Sequence, residues 1–239
     1  MFRWTEESAA FWADSAAFTG SYDLLAEKAV PHLIPGGSVF EGGCGLGHLS
    51  VTLAKRNFDV TGMDLSPLPL RFLRARAVQE GVRLTVREGN AFVLPADEIY
   101  DDGVFCSFGG VRETLAWAKA HCRNRLILFK KNWSTHRFTR DPGAIRKFTF
   151  PLTRSELDEL GIPYETEVFD ADMGQPFRSL DDAVRFFRLY DPQGAMTETE
   201  VRAQLTETSD PTFPYYLPAL RSVGMIVLTA DEIRETYSK

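Results

Sequence analysis

Along the first half of the chain, short near-continuous apolar runs alternate with longer stretches in which apolar residues recur at helical spacing. The runs beginning at Val39 and covering 58–63, 82–86, 103–108 and 125–130 predict strands. The stretches 48–56, 67–81 (Leu70, Leu73 and Ala77 inward, Gly81 closing) and 111–121 predict the helices between them. The run at 103–108 is apolar throughout, as a strand covered on both faces must be. Strand and helix alternating at this spacing predict an α/β fold built on a parallel, doubly wound sheet.

The flanks are less periodic. Residues 4–33 read as two aromatic, alanine-rich helices split at Gly20, with Phe11, Ser15 and Phe18 on one face of the first. Ser21 is the expected cap of the second, and Asp23 suits its positive end. This segment is expected either to pack on the sheet or to act as a lid over a ligand. After 130, Thr153 and Glu156 have the spacing of a capping box, as do Thr197 and Glu200. A helix from Ser179 turns Ala183, Phe186, Phe187 and Tyr190 inward, 164–169 and 223–229 read as strands, and 210–218 as a proline-rich loop. The organisation expected is one domain: a helical lid over 1–33, a core over 34–130, and a sheet-completing, substrate-side segment over 131–239.

Composition narrows the function. Acidic residues outnumber basic ones, for a net charge of −6, which argues against a nucleic-acid partner. No apolar run approaches a membrane span, and no basic-then-apolar leader opens the sequence. Cys44, Cys106 and Cys122 are odd in number and unclustered, so neither a disulfide framework nor a metal site is expected; the reading is a reduced cytoplasmic protein.

Chemistry concentrates where the first strand meets its helix. Gly43, Gly45 and Gly47 alternate in a bend that begins with Glu41 and Gly42, and Asp64 ends the next strand. Glycines there let a ligand lie against backbone, and an acid at the second strand end suits ribose hydroxyls. Dinucleotide enzymes share the pairing but want Gly-x-Gly-x-x-Gly. Here the spacing is Gly-x-Gly-x-Gly with a carboxylate two residues before the first glycine, poorly placed for a pyrophosphate and well placed for a cationic group.

These residues resemble the class I, S-adenosylmethionine-dependent methyltransferases. Glu41 through Gly47 is similar to the first motif of that family, residues 60–66 to the second, 87–95 to the third and 101–108 to the fourth-strand motif; the likeness covers roughly 20–130. The resemblance implies a mostly parallel seven-stranded, Rossmann-like sheet and S-adenosylmethionine as methyl donor. It implies that Gly42, Gly43, Gly45 and Gly47 cradle the methionine part with Glu41 near its ammonium. Asp64 would hold the ribose diol, Leu65 would pack on the adenine, Asn90 and Ala91 would bind its edge, and Ser107 would line the methionine end. Tyr22 is a plausible carboxylate ligand.

The Asn/Asp-Pro-Pro-aromatic signature of nucleic-acid amino methylation is missing from the fourth strand, where Cys106, Ser107, Phe108, Gly109 and Gly110 stand. A small-molecule acceptor is therefore expected. His136, after the fifth strand, is the candidate base or substrate contact. Lys130, Trp133 and Arg137 are candidates for an anionic acceptor, with Tyr190, Tyr215 and Tyr216 walling the pocket. Cys106 reads as an inert strand cysteine, and Asp101 and Asp102 as a solvated turn at the far sheet edge. A non-catalytic cofactor-binding scaffold and a nicotinamide-dependent oxidoreductase remain the alternatives.

Overall fold

The computed structural model describes residues 4–135, 138, 147–191 and 196–237. Two helices, α1 (Glu6–Thr19) and α2 (Ser21–Ala29), precede β1 (Ser38–Gly42), α3 (His48–Lys55), β2 (Asp59–Asp64), α4 (Pro67–Gln79), β3 (Thr85–Glu88), β4 (Tyr100–Cys106), α5 (Val111–His121) and β5 (Cys122–Lys131). The second half holds α6 (Phe150–Leu160), β6 (Glu165–Asp172), β7 (Gln175–Phe177), α7 (Leu180–Tyr190), α8 (Glu198–Arg202), β8 (Thr206–Glu207), β9 (Tyr215–Leu217), β10 (Leu220–Thr229) and α9 (Ala230–Thr236). The main sheet has seven strands in the order β3-β2-β1-β4-β5-β10-β6, and only β10 runs against its neighbours. The expected mostly parallel, doubly wound sheet is present. Its order reverses between β1 and β4, so the carboxyl ends of those strands flank the crevice where such sheets bind ligands.

Each face of the sheet carries its own core. Phe40, Phe105, Leu115, Trp117, Leu128 and Ile226 pack on one side, and Leu25, Leu49, Leu53, Val104, Ile127 and Phe129 on the other. The alternation of β4 and β5 residues between the two lists follows from the pleat. The Trp117 ring lies directly on Gly103, 2.2 Å from where a Cβ would sit, so α5 approaches β4 more closely than any side chain there would allow.

Several boundaries differ from the pattern-based expectation. Strand β3 starts at Thr85 rather than 82, because the Val82 N–H still reaches the Ala77 carbonyl (3.0 Å) and holds the chain to the end of α4. Helix α6 starts at Phe150, with Thr149 at the N-cap position but no side-chain cap bond; Thr153 lies buried inside the helix and is no cap. Gly20, not Ser21, is the N-cap residue of α2, and Ser21 is buried as its first residue. The loop at 210–218 contains β9, which joins β7 and β8 in a second, three-stranded sheet.

The pair Asp101 and Asp102 is no solvated turn. Asp102 is fully buried and accepts from the Ile34 N–H (2.8 Å), the Asn124 side chain (2.8 Å) and the Arg125 N–H (3.1 Å). Asp101 accepts from both the N–H and the hydroxyl of Ser38, at 2.8 and 2.9 Å. Together they pin the amino ends of β1, β4 and β5, leaving the opposite edge for the site.

Helix α1 bridges the two halves. Its capping box at Thr5 and Ser8 fixes its start. Ser15 Oγ donates to the Gly174 carbonyl (2.6 Å), Asp14 pairs with Arg178, and Phe11 packs edge-on against Phe177 and Phe186. At its other end Glu6 pairs with Arg71 of α4.

Candidate active site

The glycine loop leaves β1 through three left-handed residues, Gly43, Gly45 and Gly47, at φ 67°, 54° and 66°. Side chains would strain that path, and close packing adds to the demand: a Cβ on Gly42 would fall 2.2 Å from the Phe105 ring, and one on Gly47 2.1 Å from Leu73. Gly43 lies under the Phe108 ring, and the open side of Gly45 faces Trp4, 3.4 Å from a Cβ position. Trp4 in turn packs edge-on against Trp12, whose Nε1 donates to Tyr22 Oη (3.1 Å).

Asp64 closes the loop from β2. Its Oδ2 accepts from the Gly45 N–H (3.0 Å) and its Oδ1 from the Ser66 N–H (2.8 Å). Each oxygen keeps a lone pair for a further donor. Ser66 precedes α4 as N-cap residue without a side-chain cap bond; the Asp64 carboxylate meets its N–H instead.

Glu41, near the carboxyl end of β1, is buried and accepts from the hydroxyl of Ser50 in α3. Burial, reinforced by the nearby Asp64 carboxylate, raises its pKa from 4.5 to about 7 in spite of that hydrogen bonding. Tyr22 comes down from α2 into the same crevice, within electrostatic reach of Cys106 and Glu41; burial raises its pKa, so the phenol keeps its proton. Its ring stacks on His48 at 5.1 Å between centroids and an interplanar angle of 23°. His48, in the first turn of α3, is 5% exposed, and burial lowers its pKa to about 3.

At the end of β4, Cys106 is half-buried with its thiol pushed up to about 12 by burial, which makes it inert near neutral pH. Ser107 follows in a left-handed conformation, φ 53°, exposed at the crest, with its N–H on the Phe129 carbonyl (2.8 Å). A non-glycine residue held there is the kind of local strain found at functional turns.

Tyr22, Glu41, Gly45, Asp64 and Cys106 thus converge at the β1–β4 crevice. Leu65 and Asn90 sit exposed along the same edge, with Ala91 buried beside them. Asn90 Oδ1 already accepts from the Phe92 N–H (3.0 Å) in a local turn, which leaves one lone pair of that oxygen open. His136 and Arg137 lie outside the described residues. Lys130, expected to meet an acceptor, is 1% exposed, with Nζ donating to the Phe108 and Gly109 carbonyls at 3.0 and 2.8 Å. It braces the β4–α5 loop from beneath. Tyr190 and Tyr215 pack in a separate cluster around Phe186, and Tyr216 donates to Asp172 (2.5 Å), so these tyrosines build the second sheet and its helix. Ser50, Trp4 and Phe108 were not legible as site residues, because each arrives through tertiary packing.

Comparison with known proteins fits this geometry. Residues 39–125 match the family model described as a methyltransferase domain. Uncharacterized proteins of Mycobacterium tuberculosis and Mycobacterium bovis are 36% identical over 103 residues, covering 38% of this chain and 36% of theirs, so the match spans about a third of those relatives. A candidate methyltransferase of Geobacillus is 32% identical over 108 residues, covering 43% of this chain and 44% of that one.

Among solved structures, YjhP from E. coli superposes with a TM-score of 0.54 at 18% identity, covering 91% of this chain and 98% of that one. YcgJ from Bacillus subtilis gives 0.54 at 16%, covering 87% and 97%. The [4+2]-cyclase SpnF gives 0.53 at 14%, covering 87% and 80%. At such identities the likeness is one of fold, and the cyclase shows that this fold alone does not prescribe a reaction. Residues 39–125 thus resemble a methyltransferase domain, and the described residues share the fold of YjhP and YcgJ.

Proposed function

We propose that the chain moves a methyl group from S-adenosylmethionine to a small-molecule acceptor. The observation that carries this reading is the clasp of Asp64 on the Gly45 N–H, which sets a ribose-type acid beside a left-handed glycine loop and the buried Glu41. The residues present fit such a donor. Glu41 is a buried acid with Ser50 as its hydrogen-bond partner and suits an ammonium, and the oxygens of Asp64 suit a diol. Leu65, Asn90 and Ala91 would take the adenine, Gly43 and Ser107 the methionine end, and Tyr22 its carboxylate.

Bound there, the donor supplies an electrophilic methyl group on a positively charged sulfur. The protein's own part is orientation and exclusion of water. The Trp4–Trp12–Tyr22 chain covers the loop, and the Lys130 bonds to two carbonyls hold the β4–α5 turn that faces it. Tyr22 and Cys106 both keep their protons at neutral pH and are not bases.

Thermal shift with S-adenosylmethionine, S-adenosylhomocysteine and NADH in parallel tests the donor, since a ligand that binds only the folded state raises the midpoint. A response to NADH alone would overturn the reading. Turnover is tested with methyl-labelled donor and a metabolite panel. Binding of the donor with no transfer to any acceptor would favour the second reading, cofactor binding without methyl transfer.

A further inference from the structure

Lys131 ends β5 one residue after the buried Lys130, and the pleat sends the two side chains to opposite faces of the sheet. Lys130 goes to the Phe108 and Gly109 carbonyls. Lys131 goes to the face that holds Phe129, Cys106, Tyr22 and Trp133. Cys106 is paired in register with Phe129, so Lys131 stands just beyond it at the crest, next to the seat assigned to the donor.

Among the described residues, no acid pairs with it. Lys131 is half-buried and makes no hydrogen bond or salt bridge among the described residues; Cys106 is its electrostatic neighbour, and that thiol is un-ionised at neutral pH. Burial accordingly lowers the lysine's pKa. On β10, its register partner is Val223, and Arg221 lies two residues further along on the same face with its guanidinium 5.6 Å from the centre of the Trp133 ring. The residues of β6 opposite Val223 and Arg221 are Phe169 and Ala171. The crest above β5 and β10 thus brings Lys131 together with Arg221 and the Trp133 indole, with Met173 packed nearby. A partly desolvated ammonium without a counter-ion is costly, and it gains most from an anion that brings its own apolar body.

We infer that the methyl acceptor is a carboxylate on an aromatic-sized apolar body, and that Lys131, flanked by Arg221 and Trp133, is the group that binds the carboxylate. That the bound molecule is the acceptor rests on the donor reading above; the carboxylate site itself does not.

The test titrates the protein with benzoate, salicylate and indole-3-carboxylate, and with benzamide and salicylamide as uncharged counterparts. Thermal midpoint and calorimetric Kd are read with and without saturating S-adenosylhomocysteine. At least one carboxylate should bind with an affinity about tenfold or more above its amide, the range expected for one charge-assisted contact. Lys131→Met should erase that preference and Lys131→Arg should keep most of it. Lys55→Met, at an exposed pair with Glu80, should behave as the parent protein.

An unchanged response of Lys131→Met to S-adenosylhomocysteine shows that the variant is folded; should it not fold, Lys131→Arg against Lys131→Gln serves. Equal binding of acid and amide, parent-like preference in Lys131→Met, or no response to any carboxylate overturns the inference. A parent protein that ignores S-adenosylhomocysteine yet discriminates acid from amide through Lys131 overturns the donor reading instead and keeps the carboxylate site.

Discussion

Ser50 satisfies Glu41 from across the first loop: its hydroxyl donates to the buried carboxyl, from the helix that follows the strand carrying the acid. Strand end and helix start are thereby tied at the point where the glycine loop turns. The folded state holds the Glu41 proton more tightly than the unfolded chain, with a pKa of about 7 against 4.5. Stability from this group is thus full below pH 4.5 and lost as pH rises through 7. Glu41→Gln should be more stable than the parent at pH 8, by at most about 3 kcal/mol, and close to it at pH 4.5, as read by urea unfolding. The same variant should bind S-adenosylhomocysteine more weakly.

His48 predicts the opposite slope. Its pKa of about 3 lies below the ordinary 6.5, so the folded state excludes a proton that the unfolded state accepts. Stability is full above pH 6.5 and is lost as pH falls toward 3. His48→Phe keeps a ring against Tyr22 and removes the buried Nε2, which has no hydrogen-bond partner among the described residues. Relative to its own stability at pH 7, that variant should lose less than the parent at pH 4, by up to about 3 kcal/mol.

Asp102→Ala leaves the Ile34 and Arg125 N–H groups and the Asn124 amide without their acceptor in a buried place. Chemical denaturation should show a loss of about 3 kcal/mol or more. Because the pin lies at the far edge of the sheet, the Kd for S-adenosylhomocysteine of the folded fraction should not change.

Gly47→Ala and Gly81→Ala separate two costs. Both glycines have φ 66°, but a Cβ at Gly47 meets Leu73 at 2.1 Å while one at Gly81 meets nothing within 4 Å. Gly81→Ala should cost about 1 kcal/mol, the left-handed strain alone. Gly47→Ala should cost about 3 kcal/mol, since α4 must also give way. Equal losses in thermal unfolding would mean that Leu73 repacks freely.

Trp4 lies over Gly45 and touches Trp12. A ligand seated on the loop should therefore alter tryptophan fluorescence on addition of S-adenosylhomocysteine. Trp4→Phe should remove most of that change while leaving binding within about tenfold.

The sequence by itself determined the order of strands and helices in the first half, because each element there carries its own period and its own glycine or proline stop. It also determined the loop from Glu41 to Gly47 and its partner Asp64, since a strand end followed by a glycine bend is a local arrangement. Tertiary structure decided what those groups touch. Glu41 depends on Ser50 through the packing of α3 on the sheet. Lys130 and Lys131, adjacent and chemically alike, part company only once the exact register of β5 sends one under the Phe108 loop and the other to the crest. Asp101 and Asp102 read as a solvated turn because their partners, Ser38, Ile34, Asn124 and Arg125, come from other strands and loops. Local periodicity records which way a residue faces; burial and pairing are properties of the neighbours that folding brings to it.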